Sequence, residues 1–112
     1  MSDPKNLRTE DRKKLHCATT VLFRDPPAMT GRAIDISAQG ISMVLSEKVE
    51  SGIECLVSFE ATVNGTKYKL AVRANPVYCI YSGDAFRTGF KFDRVDEPTE
   101  TSIRALYKAL FI

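Results

Sequence analysis

The sequence predicts a mainly β protein, a six-stranded antiparallel β-barrel with one C-terminal α-helix, preceded by a flexible basic N-terminal arm. Three observations carry this expectation. Between Cys17 and Phe92, apolar and polar residues alternate with period two in one short run after another. Asn64-Gly65 separates two of those runs and is the preferred pair for a two-residue hairpin turn, where both positions need positive φ. After Pro98 the apolar spacing changes to that of a helix.

Taken in order, residues 1–16 hold only Leu7 and Leu15 as large aliphatic side chains and show no sustained period, so they read as an arm. Residues 17–112 read as the barrel with its helix. Cys17, Thr19, Val21 and Phe23 share one face of a first strand, which Asp25-Pro26-Pro27 ends. A second strand covers residues 31–36, and a third carries Ile41, Met43 and Leu45 on one side. The alternation is cleanest in Ile53, Cys55, Val57, Phe59, Ala61 and Val63, against Glu54, Ser58, Glu60 and Thr62, with Leu56 the exception. The return strand places Tyr68, Leu70, Val72 and Ala74 inward, opposite Lys67, Lys69 and Arg73, and Pro76 marks a bend or bulge in it. After a turn at Ser82-Gly83-Asp84, Phe86, Thr88, Phe90 and Phe92 form the last strand. Asp96, Glu97 and Pro98 are helix-start residues, and Ile103, Leu106, Tyr107, Leu110 and Phe111 fall on one helical stripe.

Composition narrows the function. A chain of 112 residues with 44% hydrophobic and 27% charged residues suits one ordinary globular domain. No apolar run reaches the roughly 20 residues of a membrane span, and the polar first residues lack a secretory signal, so the protein reads as cytoplasmic. Cys17, Cys55 and Cys79 form neither a disulfide framework nor a zinc set and read as small buried hydrophobes. The net charge of +2 lies entirely in residues 1–16, while the remainder holds eleven basic and eleven acidic side chains. A neutral body with a basic arm suits a small anion better than a long nucleic acid. No nucleophile–base pair, metal cluster or Gly-rich phosphate loop is legible, and His16 has no catalytic partner pattern, so no enzyme activity and no cofactor is expected.

Two short patterns point to a ligand. Arg8 and Arg12 are four residues apart, a spacing that eight arginines produce easily by chance. Asp35-Ile36-Ser37-Ala38-Gln39-Gly40 lies between two apolar strands, and its Asp-x-Ser-x-x-Gly pattern should arise by chance in about one such chain in forty. Asp, Ser and Gly are also ordinary turn residues, so either pattern alone has a structural reading. Together they supply the chemistry of guanine recognition. An Arg fork can donate two parallel bonds to guanine N7 and O6, or meet a phosphate. A carboxylate such as Asp35 can accept from the base N1–H and N2–H₂, Ser37 offers a hydroxyl, and Gly40 has no Cβ to obstruct a flat base. Arg73 and Arg87 could stand beside such a ligand, but their spacing does not choose between them.

The Arg-x-x-x-Arg pair, followed after some twenty residues by Asp-x-Ser-x-x-Gly, resembles the PilZ domain family, and Thr88-Gly89-Phe90-Lys91-Phe92 before a helix resembles the end of that domain. The resemblance implies a bacterial receptor for the second messenger cyclic di-GMP, with ligand binding carried onto Arg8, Arg12, Asp35, Ser37 and Gly40, and with the arm's new position signalling to a partner protein. In that family an Arg just before the first arginine goes with a ligand dimer; Leu7 stands here and implies one ligand per site. Lys13 and Lys14 depart from the commoner continuation and are candidates for added phosphate contacts. The alternative implied by the same likeness is a scaffold that works through protein contacts without nucleotide.

Overall fold

A computed structural model describes residues 12–23 and 28–111. Arg8, Leu7 and the rest of residues 1–11, and the expected strand stop at Asp25-Pro26-Pro27, lie outside the described residues. The strands are β1 (Lys13–Lys14), β2 (Ala18–Phe23), β3 (Met29–Ser37), β4 (Gly40–Leu45), β5 (Cys55–Val63), β6 (Thr66–Ser82) and β7 (Ala85–Phe92), followed by helix α1 (Glu97–Ala109). All pairings are antiparallel. The sheet runs β3-β2-β5-β6-β7-β4, and the β3–β4 pair closes it into a six-stranded barrel, as the alternation predicts. Among the described residues, each of the six barrel strands has a paired neighbour on both sides.

The inward residues of every strand meet in one core. Val21, Ile36, Ile41, Met43 and Val57 are fully buried, and Ala74, Phe90, Ile103 and Leu106 join them. The turn at Asn64-Gly65 has φ of 52° and 82°, the mirror-image turn that its sequence predicts. Pro76 is buried, and the β6–β7 register shifts between Pro76 and Tyr78, so the expected irregularity is a β-bulge. Ile53 departs from expectation. Pairing begins only at Cys55, so Ile53 stays outside the ladder and is 42% exposed.

Helix α1 starts where its sequence says it should. The Asp96 carboxylate accepts the Thr99 N–H at 2.9 Å, and Glu97 and Glu100 lie in the first turn, where the helix dipole favours negative charge. Those bonds hold the Asp96 carboxyl below its ordinary pKa. Ile103 and Leu106 enter the barrel core, and Asn64 donates to the Ala109 carbonyl at 3.3 Å. The apolar stripe is shorter than the spacing predicts. The helix ends at Ala109, so Phe111 leaves the stripe, is 55% exposed, and packs edge-on against Tyr107.

The start of the chain's described part is tied to the barrel. Lys13 and Lys14 pair with Ile36 and Asp35, the Leu15 N–H donates to the Ile34 carbonyl at 2.9 Å, and the Ala33 N–H donates to the Cys17 carbonyl at 2.8 Å. β1 is therefore an interrupted extension of β2 along β3. Leu15, read with the arm, is only 3% exposed and belongs to the core. Leu15→Ala is expected to cost about 2–5 kcal/mol of folding stability in urea denaturation, the range for truncating a packed core leucine.

The cysteines are unpaired. Burial pushes the Cys55 thiol up to about 11, so it stays protonated and unreactive at neutral pH. Cys17 is half-buried and raised for the same reason. No described helix is long and apolar enough to cross a membrane.

Candidate functional site

The register of β1 on β3 places Arg12 next to the β3–β4 turn. Because Lys13 pairs with Ile36, the residue before it lies beside Ser37. The Arg12 Nε donates to Asp35 Oδ1 at 2.5 Å, and its Nη1 donates to Ser37 Oγ at 3.3 Å. A separation of 23 positions in sequence thus becomes one side-chain fork across two motifs.

Asp35 faces this cluster because of a bulge. The β3–β4 register shifts between Ala33 and Asp35, so Ala33 pairs with Met43 and Asp35 with Ser42. Ala33 is buried in the core, whereas the Asp35 carboxylate meets Arg12. Without the extra residue, Ala33 and Asp35 would share one face by period two. The Ser42 hydroxyl donates to Asp35 Oδ1 at 2.8 Å, and Arg87 Nη2 stands 3.7 Å from Oδ2. The carboxylate is therefore held on one oxygen by Arg12 and Ser42 and approached on the other by Arg87. Its side chain is 17% exposed, against 42% and 49% for the two arginines. Ion pairs this open to solvent contribute little to folding and remain available for exchange with a ligand.

Ser37 and Gly40 pair with each other around the two-residue turn Ala38-Gln39. Ser37 is 2% exposed, and its hydroxyl accepts the Gln39 N–H at 3.3 Å as well as the Arg12 donor. It serves as turn former and arginine partner at once. Gly40 is buried, and a Cβ there would lie 2.4 Å from the Phe90 carbonyl oxygen. Its need for glycine comes from the close approach of β7. The direction a Cβ would take from Gly40 is occupied by the β7 backbone.

Cross-strand pairing places Arg87, and not Arg73, beside Asp35. On β4 and β7, Val44 pairs with Arg87, Ser42 with Gly89 and Gly40 with Lys91; on β3, Arg32 pairs with Val44. Arg32, Arg87 and Lys91 are exposed on the outer side of the same strands as the Asp35 cluster. The barrel is neutral in total, yet this face carries Arg12, Arg32, Arg87 and Lys91, and two of them, Arg12 and Arg87, meet the Asp35 carboxylate. Arg73 pairs with Leu56 and lines a groove of about 880 Å³ with Leu22, Ile53 and Arg94, away from Asp35. The outward parity of Arg87 and Lys91 is legible in the alternation of residues 86–92. Their position beside β4 is not, because β4 and β7 are far apart in sequence and pair only in the folded sheet.

Lys13 and Lys14 separate as well. The Lys13 ammonium sits 3.9 Å from the centre of the Phe111 ring, a cation–π contact joining β1 to the segment after α1. Lys14 pairs with Asp35 in register and is exposed, as is His16. Among the described residues no group of His, Cys, Asp and Glu is placed to hold a metal ion.

The PilZ domain family model matches residues 6–109, a span that includes both motifs. The chain belongs to the PilZ domain family. Solved PilZ structures share its fold at low sequence identity. The PilZ domain of YcgR from Escherichia coli, solved with cyclic di-GMP, aligns with a TM-score of 0.69 and 14% identity over 91% of this chain and 89% of that one. The Bacillus subtilis inhibitor of motility MotI aligns at 0.76 and 13% identity, over 93% of this chain but 49% of its own. The PilZ domain of CeSA from a cellulose-synthesizing bacterium aligns at 0.63 and 20% identity, over 91% of this chain and 99% of that one. No curated protein sequence matches the chain. In this PilZ domain the barrel, its capping helix and the turn carrying Asp35, Ser37 and Gly40 are all in place.

Proposed function

We propose that this PilZ domain is a cytoplasmic, non-enzymatic receptor for cyclic di-GMP, with the ligand clamped between Arg8 and Arg12 on one side and the 35–40 turn on the other. The observation that carries this reading is the Arg12 fork reaching both Asp35 and Ser37. Without ligand, Arg12 and Asp35 satisfy each other. A guanine brings donors for Asp35 and acceptors for Arg12, so it replaces one charge-assisted pair with two sets of bonds. The phosphates enter a face already lined by Arg32, Arg87 and Lys91. Arg87, close to the far carboxylate oxygen, keeps Asp35 in place while Arg12 turns to the ligand. Arg8 completes the clamp, and the ligand-bound position of the N-terminal segment is the signal that a partner protein reads.

Isothermal titration of the whole chain with cyclic di-GMP, with GTP and cyclic GMP as controls, tests the reading. Saturable binding of cyclic di-GMP with one ligand per site is expected, and Arg8→Ala plus Arg12→Ala should abolish it. No heat of binding at high micromolar ligand would sink the idea. A second reading, a nucleotide-independent protein scaffold, draws on the exposed Val77, Ile80 and Tyr81 of β6. It predicts full function in a cell after the same double substitution.

A further inference from the structure

Helix α1 turns one side to the barrel core and another to the 35–40 turn. Ile103 and Leu106 are buried in the core, whereas Thr101, Arg104, Ala105 and Lys108 recur at i, i+3, i+4 and i+7 on an exposed neighbouring face. With Ala38 of the turn, these four and Tyr107 line a groove of about 560 Å³. Ala38, Thr101 and Ala105 are small, and Arg104 and Lys108 make the groove cationic. Arg104 meets Glu100 of its own helix at 3.0 Å, and among the described residues no carboxylate pairs with Lys108. The chain enters beside this groove. Arg12 donates to Ser37, the residue before Ala38, and the Lys13 ammonium lies over Phe111, whose N–H donates to the Lys108 carbonyl at 3.1 Å. Successive side chains already part here by period two, Arg12 toward Asp35 and Lys13 toward the end of α1.

We propose that this groove seats the chain's own N-terminal arm in the ligand-bound clamp, with the Asp11 carboxylate between Arg104 and Lys108 and Leu7 over Ala105. The β1–β3 register pairs Lys13 with Ile36, so its continuation sets Asp11 beside Ala38, on the same side as Lys13. Carried further, period two sends Leu7, Thr9 and Asp11 toward α1 and Arg8 and Arg12 toward the ligand. From Asp11 to Leu7 an extended chain covers about 13 Å, and α1 rises about 10 Å between Thr101 and Lys108, so segment and groove match in length. An occupant tethered at the groove's mouth also has an effective concentration that a separate acidic peptide lacks. Seating one side of the arm aims the two arginines on its other side and lowers the ordering cost that ligand contacts must exceed. Arg104 and Lys108 are positioning residues that act through the arm. This rests on the cyclic di-GMP reading and adds α1 to the turn as the surface that directs the clamp.

The test is calorimetric titration of the whole chain with cyclic di-GMP, with thermal melts confirming that each variant is folded. Asp11→Lys should raise Kd about three- to tenfold, as should Arg104→Glu combined with Lys108→Glu, and joining all three substitutions should bring Kd back toward wild type. Direct attraction between side chain and anionic ligand predicts the opposite sign for Asp11→Lys, since an added cation would tighten binding. The chain has no tryptophan, so Leu7→Trp introduces a single reporter. Its emission should move to shorter wavelength saturably with ligand, and Arg104→Glu plus Lys108→Glu in the same background should remove that shift. Unchanged or tighter binding by Asp11→Lys, no recovery in the triple variant, or unmoved Leu7→Trp emission at a saturation shown by calorimetry overturns the seat and leaves the receptor reading intact. Absence of binding by the wild type overturns both.

Discussion

Asp35→Ala is expected to weaken cyclic di-GMP binding by about 1–3 kcal/mol, roughly five- to more than a hundred-fold in Kd. The size follows from two roles falling on one group. Asp35 is the proposed acceptor for the guanine donors, and it also anchors Arg12 at 2.5 Å and faces Arg87 at 3.7 Å. Removing it takes away the base contact and leaves two arginines repelling each other where the clamp must close. The Ser42 hydroxyl, on a residue 1% exposed, also loses its acceptor, so a modest loss of stability should accompany the alanine. Asp35→Asn separates these effects. The amide oxygen keeps the Ser42 bond and should spare the fold, but it lacks the charge and the second acceptor that pair with guanine. Calorimetry should find Asp35→Asn nearly as damaged in binding as the alanine, with a melting temperature close to wild type. Wild-type affinity in Asp35→Asn would remove the carboxylate from the ligand site.

Gly40→Ala is expected to act on the barrel before it acts on the ligand. The added methyl would meet the Phe90 carbonyl oxygen at 2.4 Å, and that oxygen belongs to the backbone of a paired strand, so no rotamer change relieves the contact. The β4–β7 pair must separate locally, at a cost of about 1–3 kcal/mol or more, read as a lowered midpoint in urea. Loss of binding should follow only as far as the turn shifts, and ligand in excess should recover part of the stability by mass action. A folded Gly40→Ala protein of wild-type stability that fails to bind would instead make Gly40 a ligand contact.

Much of the fold was legible along the chain because it depends on local periods. Alternation in residues 53–63 and 67–74, the Asn64-Gly65 turn and the Asp96 cap each need only near neighbours, and the barrel places them accordingly. Where the reading missed, a non-local partner decided. Ile53 continues the alternation yet lies outside the ladder, because strand pairing sets the start of β5. Leu15 stands among polar residues with no period around it, yet β1 runs along β3 and draws it into the core.

The same division holds at the site. The sequence by itself determined the residue types and the two motif spacings, Asp35 through Gly40 and Arg8 through Arg12, since hydrogen-bonding chemistry and turn formation are properties of residues and their near neighbours. Only the tertiary structure brought Arg12 to Asp35, through the register of β1 on β3, and turned Asp35 toward it, through the bulge after Ala33. It alone set Arg87 beside Asp35 and Arg73 elsewhere, and brought the Phe90 carbonyl against the glycine at position 40. Each of these depends on which strands become neighbours when the barrel closes, and no local period carries that information.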